Sequence, residues 1–408
     1  MTKRNPAAAC ITMLLFAAAC SDGSKAVGTN RSGVVVPDEP PMTVVGLGAV
    51  RERYTAEVAA RGGYAYTSTW GRRGTVRGDA VKVWDVRGDV PQLVDSVVVP
   101  GAGTTGDVQI SDDGALLAVA SQGGANGIYF YSLADPAHPR LLSGFAGPSV
   151  APGGVHTVKF GRVAGRLYAF LSINPSGSGD PARLVTLDLG EPEIPRQIYA
   201  RNMGNPYVHD VFVRDGVLFT ALWFDGVSVW DIGGAGHGGS PAAPVLVGSV
   251  LTVGGHAHNV WWYHDASGGK RYIFVGEEGP GTYVGGETTG DVHVVDVTDF
   301  SHPVEVAFFH LDGAGAHNFA MDEQRGILYV AYYNGGVRAL DVRGGLGSCT
   351  PAQRSTDGRC DLGLMGREKG PALAPRNDVS VWGVSLQWPY LYATDMLNGV
   401  WKIAAYND

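Results

Sequence analysis

One apolar position recurs along the chain at intervals that few architectures can produce. Val58, Val108, Val158, Val211, Val260, Phe319 and Val384 each stand near the start of a similar run, at spacings of 50, 50, 53, 49, 59 and 65 residues. Each run holds an alternating strand, a second strand rich in Tyr and Ala, a third ending in an apolar-Asp-apolar triplet, and a Pro-led fourth. A period near 50 with four strands per unit predicts a β-propeller, since no single sheet buries both faces and the units must stack around an axis. The third strand marks the units most clearly: Val83-Trp84-Asp85-Val86, Thr186-Leu187-Asp188-Leu189, Val229-Trp230-Asp231-Ile232, Val294-Val295-Asp296-Val297 and Ala339-Leu340-Asp341-Val342. Tyr131-Ser132-Leu133 and Trp401-Lys402-Ile403 are degenerate copies, which brings the count to seven.

The two ends of the repeat complement each other. The last unit supplies strands at Val379 to Leu386, Tyr390 to Thr394 and Gly399 to Ala404, then stops without a fourth. Thr43 to Val50 is strand-like and precedes the first unit. It is predicted to close the last blade as its outer strand, which removes an open edge. The expected fold is therefore all-β, a seven-bladed propeller of four-stranded blades forming one domain over 43–408. The formal net charge of −8 lacks the basic surface that a phosphate backbone requires, so no nucleic-acid partner is expected.

The first 42 residues differ in kind. Lys3 and Arg4 precede a short apolar core, Ile11 to Ala19, which reads as an export signal over 1–19 and is too short to span a bilayer. Leu14-Leu15-Phe16-Ala17-Ala18-Ala19-Cys20 resembles a bacterial lipoprotein cleavage box, with Ala17 where Leu is commonest. That resemblance implies lipidation of Cys20, a membrane partner through this anchor, and a place in the periplasm or at the cell surface. Ser21 after the Cys implies an outer-membrane lipoprotein. Residues 20–42 are rich in Ser, Gly, Pro and Asp and read as a tether.

The third-strand triplets and the residues after them resemble the LVIVD-repeat family of bacterial exported proteins. His293-Val294-Val295-Asp296-Val297-Thr298-Asp299 carries the resemblance best. Ala316-His317-Asn318 with Tyr329-Val330-Ala331-Tyr332-Tyr333-Asn334-Gly335-Gly336-Val337 extends it. The resemblance implies the fold and leaves the activity open; the second and seventh units lack its Asp. That Asp is expected to cap the turn after its strand, because a functional residue has little reason to repeat in five blades.

Aligning the units places Ala56, Gly106, His156, His209, His258, His317 and Trp382 at one level of the innermost strands. The histidines fall in four consecutive blades. A His required to build a blade should recur in most of them, whereas an arc of four suits a site. Four neutral imidazoles suit Fe, Cu or Zn, so a transition metal is a candidate cofactor, with His156, His209, His258 and His317 as ligands. The next residues along the strands, Asp210, Asn259 and Asn318, with Glu57 and Asp107 at the same step in the first two blades, form a candidate second tier that orients them. Long links on that face, such as Ser68 to Asp79 and Gly276 to Asp291, suit a binding site. The latter carries Glu277 and Glu278 as candidate acid or base groups.

Other readings of the row remain open. The histidines can line a polar channel or ligand site without a metal, or bond within their own blades as in propellers of the WD type. His256, one step outside the row, follows Gly255 as in that type. The expected function is binding of a small molecule or protein at a His-lined axial face, the alternatives being a four-His metal-dependent oxidoreductase and a structural surface protein. No nucleophile elbow, phosphate loop or dinucleotide fingerprint occurs. Cys349 and Cys360, in the long insertion of the sixth unit, are expected to form a disulfide in an exported chain.

Overall fold

A computed structural model describes residues 42–407 apart from 176–179, 205–206, 282 and 374–377. The export signal, Cys20 and all of the tether but Met42 lie outside the described residues. Seven antiparallel sheets of four blade strands succeed one another along the chain as a seven-bladed β-propeller. Blade 1 runs Tyr54–Arg61, Tyr64–Trp70, Ala80–Asp85 and Gln92–Val98. The first strands of blades 2 to 7 are Val108–Ile110, Val155–Val163, Asp210–Arg214, Ala257–Trp262, Phe319–Asp322 and Val381–Gln387.

The middle strands read as continuous apolar runs because neighbouring blades cover both of their faces. Ile327–Ala331 in blade 6 is buried at all five positions. The clusters that hold the blades together are shared between them: Ala118 and Phe130 of blade 2 pack with Val158, Ala169 and Leu171 of blade 3. The fourth strands lie outermost and are more exposed, as in Gln92–Val98.

The ends of the chain close the ring as the sequence predicts. Thr43–Ala49 pairs antiparallel with Gly399–Ala404, Leu47 opposite Trp401, as the outer strand of blade 7. The recurring Asp is a turn cap in all five blades. One carboxylate oxygen accepts the backbone N–H two residues on, in Asp85–Arg87, Asp188–Gly190, Asp231–Gly233, Asp296–Thr298 and Asp341–Arg343, at 2.8–3.0 Å.

The insertion of blade 6 contains more structure than its Gly/Ser/Asp-rich composition suggests. Cys349 and Cys360 form a disulfide with Cα atoms 5.9 Å apart. Cys360–Asp361 adds a fifth strand to blade 5, parallel to Val304–Phe309. In blade 1 the long link after Trp70 folds into a small hairpin, Arg72–Arg73 against Val76–Arg77.

One irregularity recurs near the axis in four of the blades. In blade 3 Val155 pairs with Ile173 and Thr157 with Ser172, so His156 is an extra residue. In blade 5 Ala257 pairs with Glu277 and Asn259 with Gly276, so His258 is extra. Blades 1 and 7 slip at the same level, between Thr55 and Val58 and between Val381 and Val384. A regular strand sends successive side chains to opposite faces. A bulge places two residues opposite one and re-aims a side chain, so both a histidine and its successor can face the axis.

Closure depends on close approach by the N-terminal strand. A Cβ on Gly46 would sit against Asp89 O and 2.9 Å from Val90 Cα, both of blade 1. Gly46→Val should therefore lower stability by about 1–3 kcal/mol through overpacking. Val44→Thr, at a position 40% exposed on the same strand, should stay within about 0.5 kcal/mol. Denaturant or thermal melts of the two variants check this; equal effects would mean that the seam is loose.

Candidate metal centre at the axial mouth

The His level is a closed ring of six aromatic side chains. Centroids stand 4.4 Å apart for His156–His209, 4.0 Å for His209–His258, 4.1 Å for His258–His317 and 4.4 Å for His317–Trp382. Trp70 closes the circle at 5.3 Å from Trp382 and 5.8 Å from His156. It reaches there from the end of a second strand because blades 1 and 2 carry only Ala56 and Gly106 at this level. A Cβ on Gly106 would lie 3.1 Å from the indole. Alignment of the repeats misses Trp70 because its place in the ring is set by the two small residues it covers.

Three of the four imidazoles have Nδ1 held by an oxygen acceptor. His156 Nδ1 is 3.0 Å from Gln122 Oε1, His209 Nδ1 is 3.2 Å from His258 O, and His317 Nδ1 is 2.6 Å from Trp382 O. Nδ1–H donation to these oxygens leaves each Nε2 as a lone pair, the tautomer that binds metals. The consequence is sharpest between blades 3 and 4, where His156 Nε2 lies 3.0 Å from His209 Nε2. Two lone pairs at that distance repel unless a cation or a proton lies with them. Both nitrogens of His258 are buried without a hydrogen-bond partner, a costly state for polar atoms.

Glu278 completes the cluster from the end of the second strand in blade 5. Its Oε2 lies 3.9 Å from His209 Nε2 and 3.8 Å from His258 Nε2, and its Oε1 accepts a hydrogen bond from the Tyr333 hydroxyl. Among the described residues, His209, His258 and Glu278 are the set whose ligand atoms all lie within 4.8 Å of one another. The expectation of four converging histidines is thus modified. His156 adjoins the set through His209, and His317 is drawn to the Trp382 side. The two candidate acids also separate. Glu277 turns into blade 5, where its Oε2 lies 3.3 Å from His293 Nε2 and accepts Asp291 N–H at 3.1 Å.

The second tier divides in the same way. Glu57 Oε1 lies 3.7 Å from His317 Nδ1 and takes a hydrogen bond from Asn318. Asp107 instead accepts Val158 N–H at 2.8 Å and Gln109 Nε2 at 3.2 Å, so it ties blade 2 to blade 3. Asp210, Asn259 and Asn318 line the channel below the ring. Asn259 Oδ1 is buried without a partner.

Burial controls the charge of the whole region. It pushes the His156 pKa down to about 4. It takes His209, His258 and His317 well below the ordinary imidazole value, with further lowering from the neighbouring imidazoles. Burial raises Glu278 to about 7 against the Tyr333 hydrogen bond. Burial, then Asp107, raises Asp210 to about 7 and Glu57 well above the carboxylate range. The ring is therefore four neutral imidazoles, the form that binds metal ions.

The backbone is strained around the same point. Trp223, His256 and Tyr333 have φ of 56°, 55° and 42°, in the left-handed region that non-glycine residues rarely adopt. Trp223 stacks on His209 with centroids 5.2 Å apart, His256 O accepts Glu278 N–H at 3.1 Å, and Tyr333 holds the Glu278 carboxyl. Bridges from Trp223 to Ala257 and from Tyr333 to Val381 tie these turns to the first strand of the next blade. No family model matches the chain, and no curated protein matches it.

Two histidines, one neutral and one cationic, test this electrostatic picture. Burial alone would lower His293, but its bonds to Glu277 and Glu305 outweigh that and hold it up at about 9. In metal-free protein His293 should remain imidazolium from pH 5 to 8, while His156 remains neutral throughout. Nitrogen-15 chemical shifts of the histidines check this. A His156 that titrates near 6.5 would show that water reaches the ring freely.

Proposed function

We propose that this chain is an exported, lipid-anchored propeller of the LVIVD-repeat kind, and that its axial mouth binds a transition-metal ion. His209, His258 and Glu278 supply the ligands, and His156 is placed to join them. The observation that carries this reading is the 3.0 Å Nε2–Nε2 contact between two imidazoles whose Nδ1 atoms are already engaged. Neighbouring donors on a metal with bonds of about 2.1 Å stand roughly 3.0–3.4 Å apart. That contact already fits, and the 3.8 and 3.9 Å edges to Glu278 need to close by about half an ångström. Two imidazoles and a carboxylate with open positions suit Fe(II), and a third imidazole suits Zn or Cu. Bound there, the ion supplies Lewis-acid or redox chemistry to a small molecule, and the neutral site around it makes its charge act strongly. Tyr333 and the strained turns position Glu278 and screen it from water.

The test is metal analysis of natively purified protein. One transition-metal ion per chain is expected, with His258→Ala and Glu278→Gln each weakening affinity by about a hundredfold or more, beyond the loss typical of an outer-shell change. Absence of metal from wild type, with no uptake on titration, contradicts the proposal. The anchor is tested separately. Cys20→Ser should move the protein from the membrane to the soluble fraction, and continued retention overturns that part.

A further inference from the structure

Below the ring the axial channel opens into a chamber of about 300 Å³. Two residues beyond the second tier, the inner strands present a third level to it. Blades 3, 4 and 5 contribute Lys159, Phe212 and Trp261, whereas blades 6, 7 and 1 contribute Ala320, Ser385 and Ala59. Gln109 of blade 2 stands next to Lys159 at the same level. The three small residues leave the space that larger ones would fill. Building a propeller requires neither this asymmetry nor a lysine among these positions.

Lys159 reaches from blade 3 across to blades 4 and 5. Its ammonium lies 5.5 Å from the ring centroid of Phe212 and 5.7 Å from that of Trp261. Among the described residues it makes no hydrogen bond and no ion pair. Asp107 and Asp210, one level higher, feel its charge, but neither carboxyl group comes within ion-pair distance. The two aromatic rings thus hold the cation in place without using its N–H donors. Ser385, on the other side of the chamber, accepts Ala60 N–H at 3.1 Å, and its own hydroxyl hydrogen has no protein acceptor. Gln109 donates one amide N–H to Asp107 at 3.2 Å and keeps the second. Lys159, Ser385 and Gln109 are only partly buried, so each has surface open to the chamber they line. At its edge Arg61 adds positive charge, and the Asp112 carboxylate is held by Arg162.

One cation without an anion, two neutral donors and an apolar remainder of the wall select a ligand with a single negative charge and a short apolar body. We infer that the lower chamber is a second binding site, independent of the metal, for a small organic monocarboxylate. Its carboxylate lies against the Lys159 ammonium and accepts hydrogen bonds from Ser385 and Gln109, which flank Ala59. Its carbon chain occupies the space over Ala320. A volume of about 300 Å³ is at the small end for organic ligands and suits an acid of a few carbons. A charged donor meeting a carboxylate makes the stronger kind of hydrogen bond, so Lys159 should carry most of the affinity.

The experiment is calorimetric titration of the chelator-treated full chain with propionate, butyrate and benzoate, with the corresponding amides as neutral isosteres and with sulfate as an inorganic anion. At least one carboxylate should bind about tenfold or more tightly than its amide and than sulfate. Lys159→Met keeps the stem over the two rings and removes the charge; it should weaken that carboxylate about tenfold or more, with circular dichroism unchanged. Lys159→Arg, which restores the charge, should recover most of the affinity, and Ser385→Ala should cost several-fold. The protein is metal-free throughout, so failure here is distinguishable from failure of the metal reading. No heat with any of the three acids, an amide or sulfate binding as tightly as the best acid, or unaltered binding in Lys159→Met would each overturn the inference.

Discussion

Closure of the seven-blade ring is the constraint on which the rest depends. Pairing of Thr43–Ala49 with Gly399–Ala404 builds the last blade from both ends of the chain and so ties it to the first. It thereby sets how far apart the seven inner strands stand. At that spacing, rings on consecutive blades come within 4.0–4.4 Å of one another and form a continuous wall. In blades 3 and 5 the bulge then adds a second axial residue, so one short stretch of inner strand provides both a histidine and its successor.

The electrostatics stem from the same packing. Four imidazoles and several carboxyl groups are enclosed together, and burial shifts both kinds toward the neutral form. Charge is retained one shell outward. His293, Glu277, Glu305 and Arg359 form a network inside blade 5, which ties the disulfide-bearing insertion to the strand that ends in Glu277. The mouth of the propeller is thus held from behind by ion pairs, while its four buried imidazoles are neutral. That combination suits a site for an ion, which brings its own charge.

Much of this was legible in the sequence, for identifiable reasons. The period of the apolar positions reflects blade length, the missing fourth strand of the last unit points to the N-terminal one, and Asp in five equivalent turns marks a cap. The arc of histidines was visible because a site breaks the symmetry that a scaffold keeps. What was hidden depended on register and on space. Glu277 and Glu278 are adjacent acids, and only the pairing of Glu277 with Ala257 decides which one reaches the ring. Trp70 belongs to the ring because Ala56 and Gly106 leave room for it, a relation across three strands. The bulge has no residue signature, yet alternation without it would have turned the second tier away from the axis. The fifth strand of blade 5 lies in an insertion whose composition reads as loop.

The most direct measurement is anomalous diffraction from crystals of the full propeller grown with one equivalent of Zn(II), and separately with Fe(II) under anaerobic conditions. A single strong peak is predicted, bonded to His209 Nε2, His258 Nε2 and a Glu278 oxygen, with His156 Nε2 beside it. Ordered protein with no peak at the ring, or a peak only at surface histidines such as His302 or His310, would contradict a metal centre at the axial mouth.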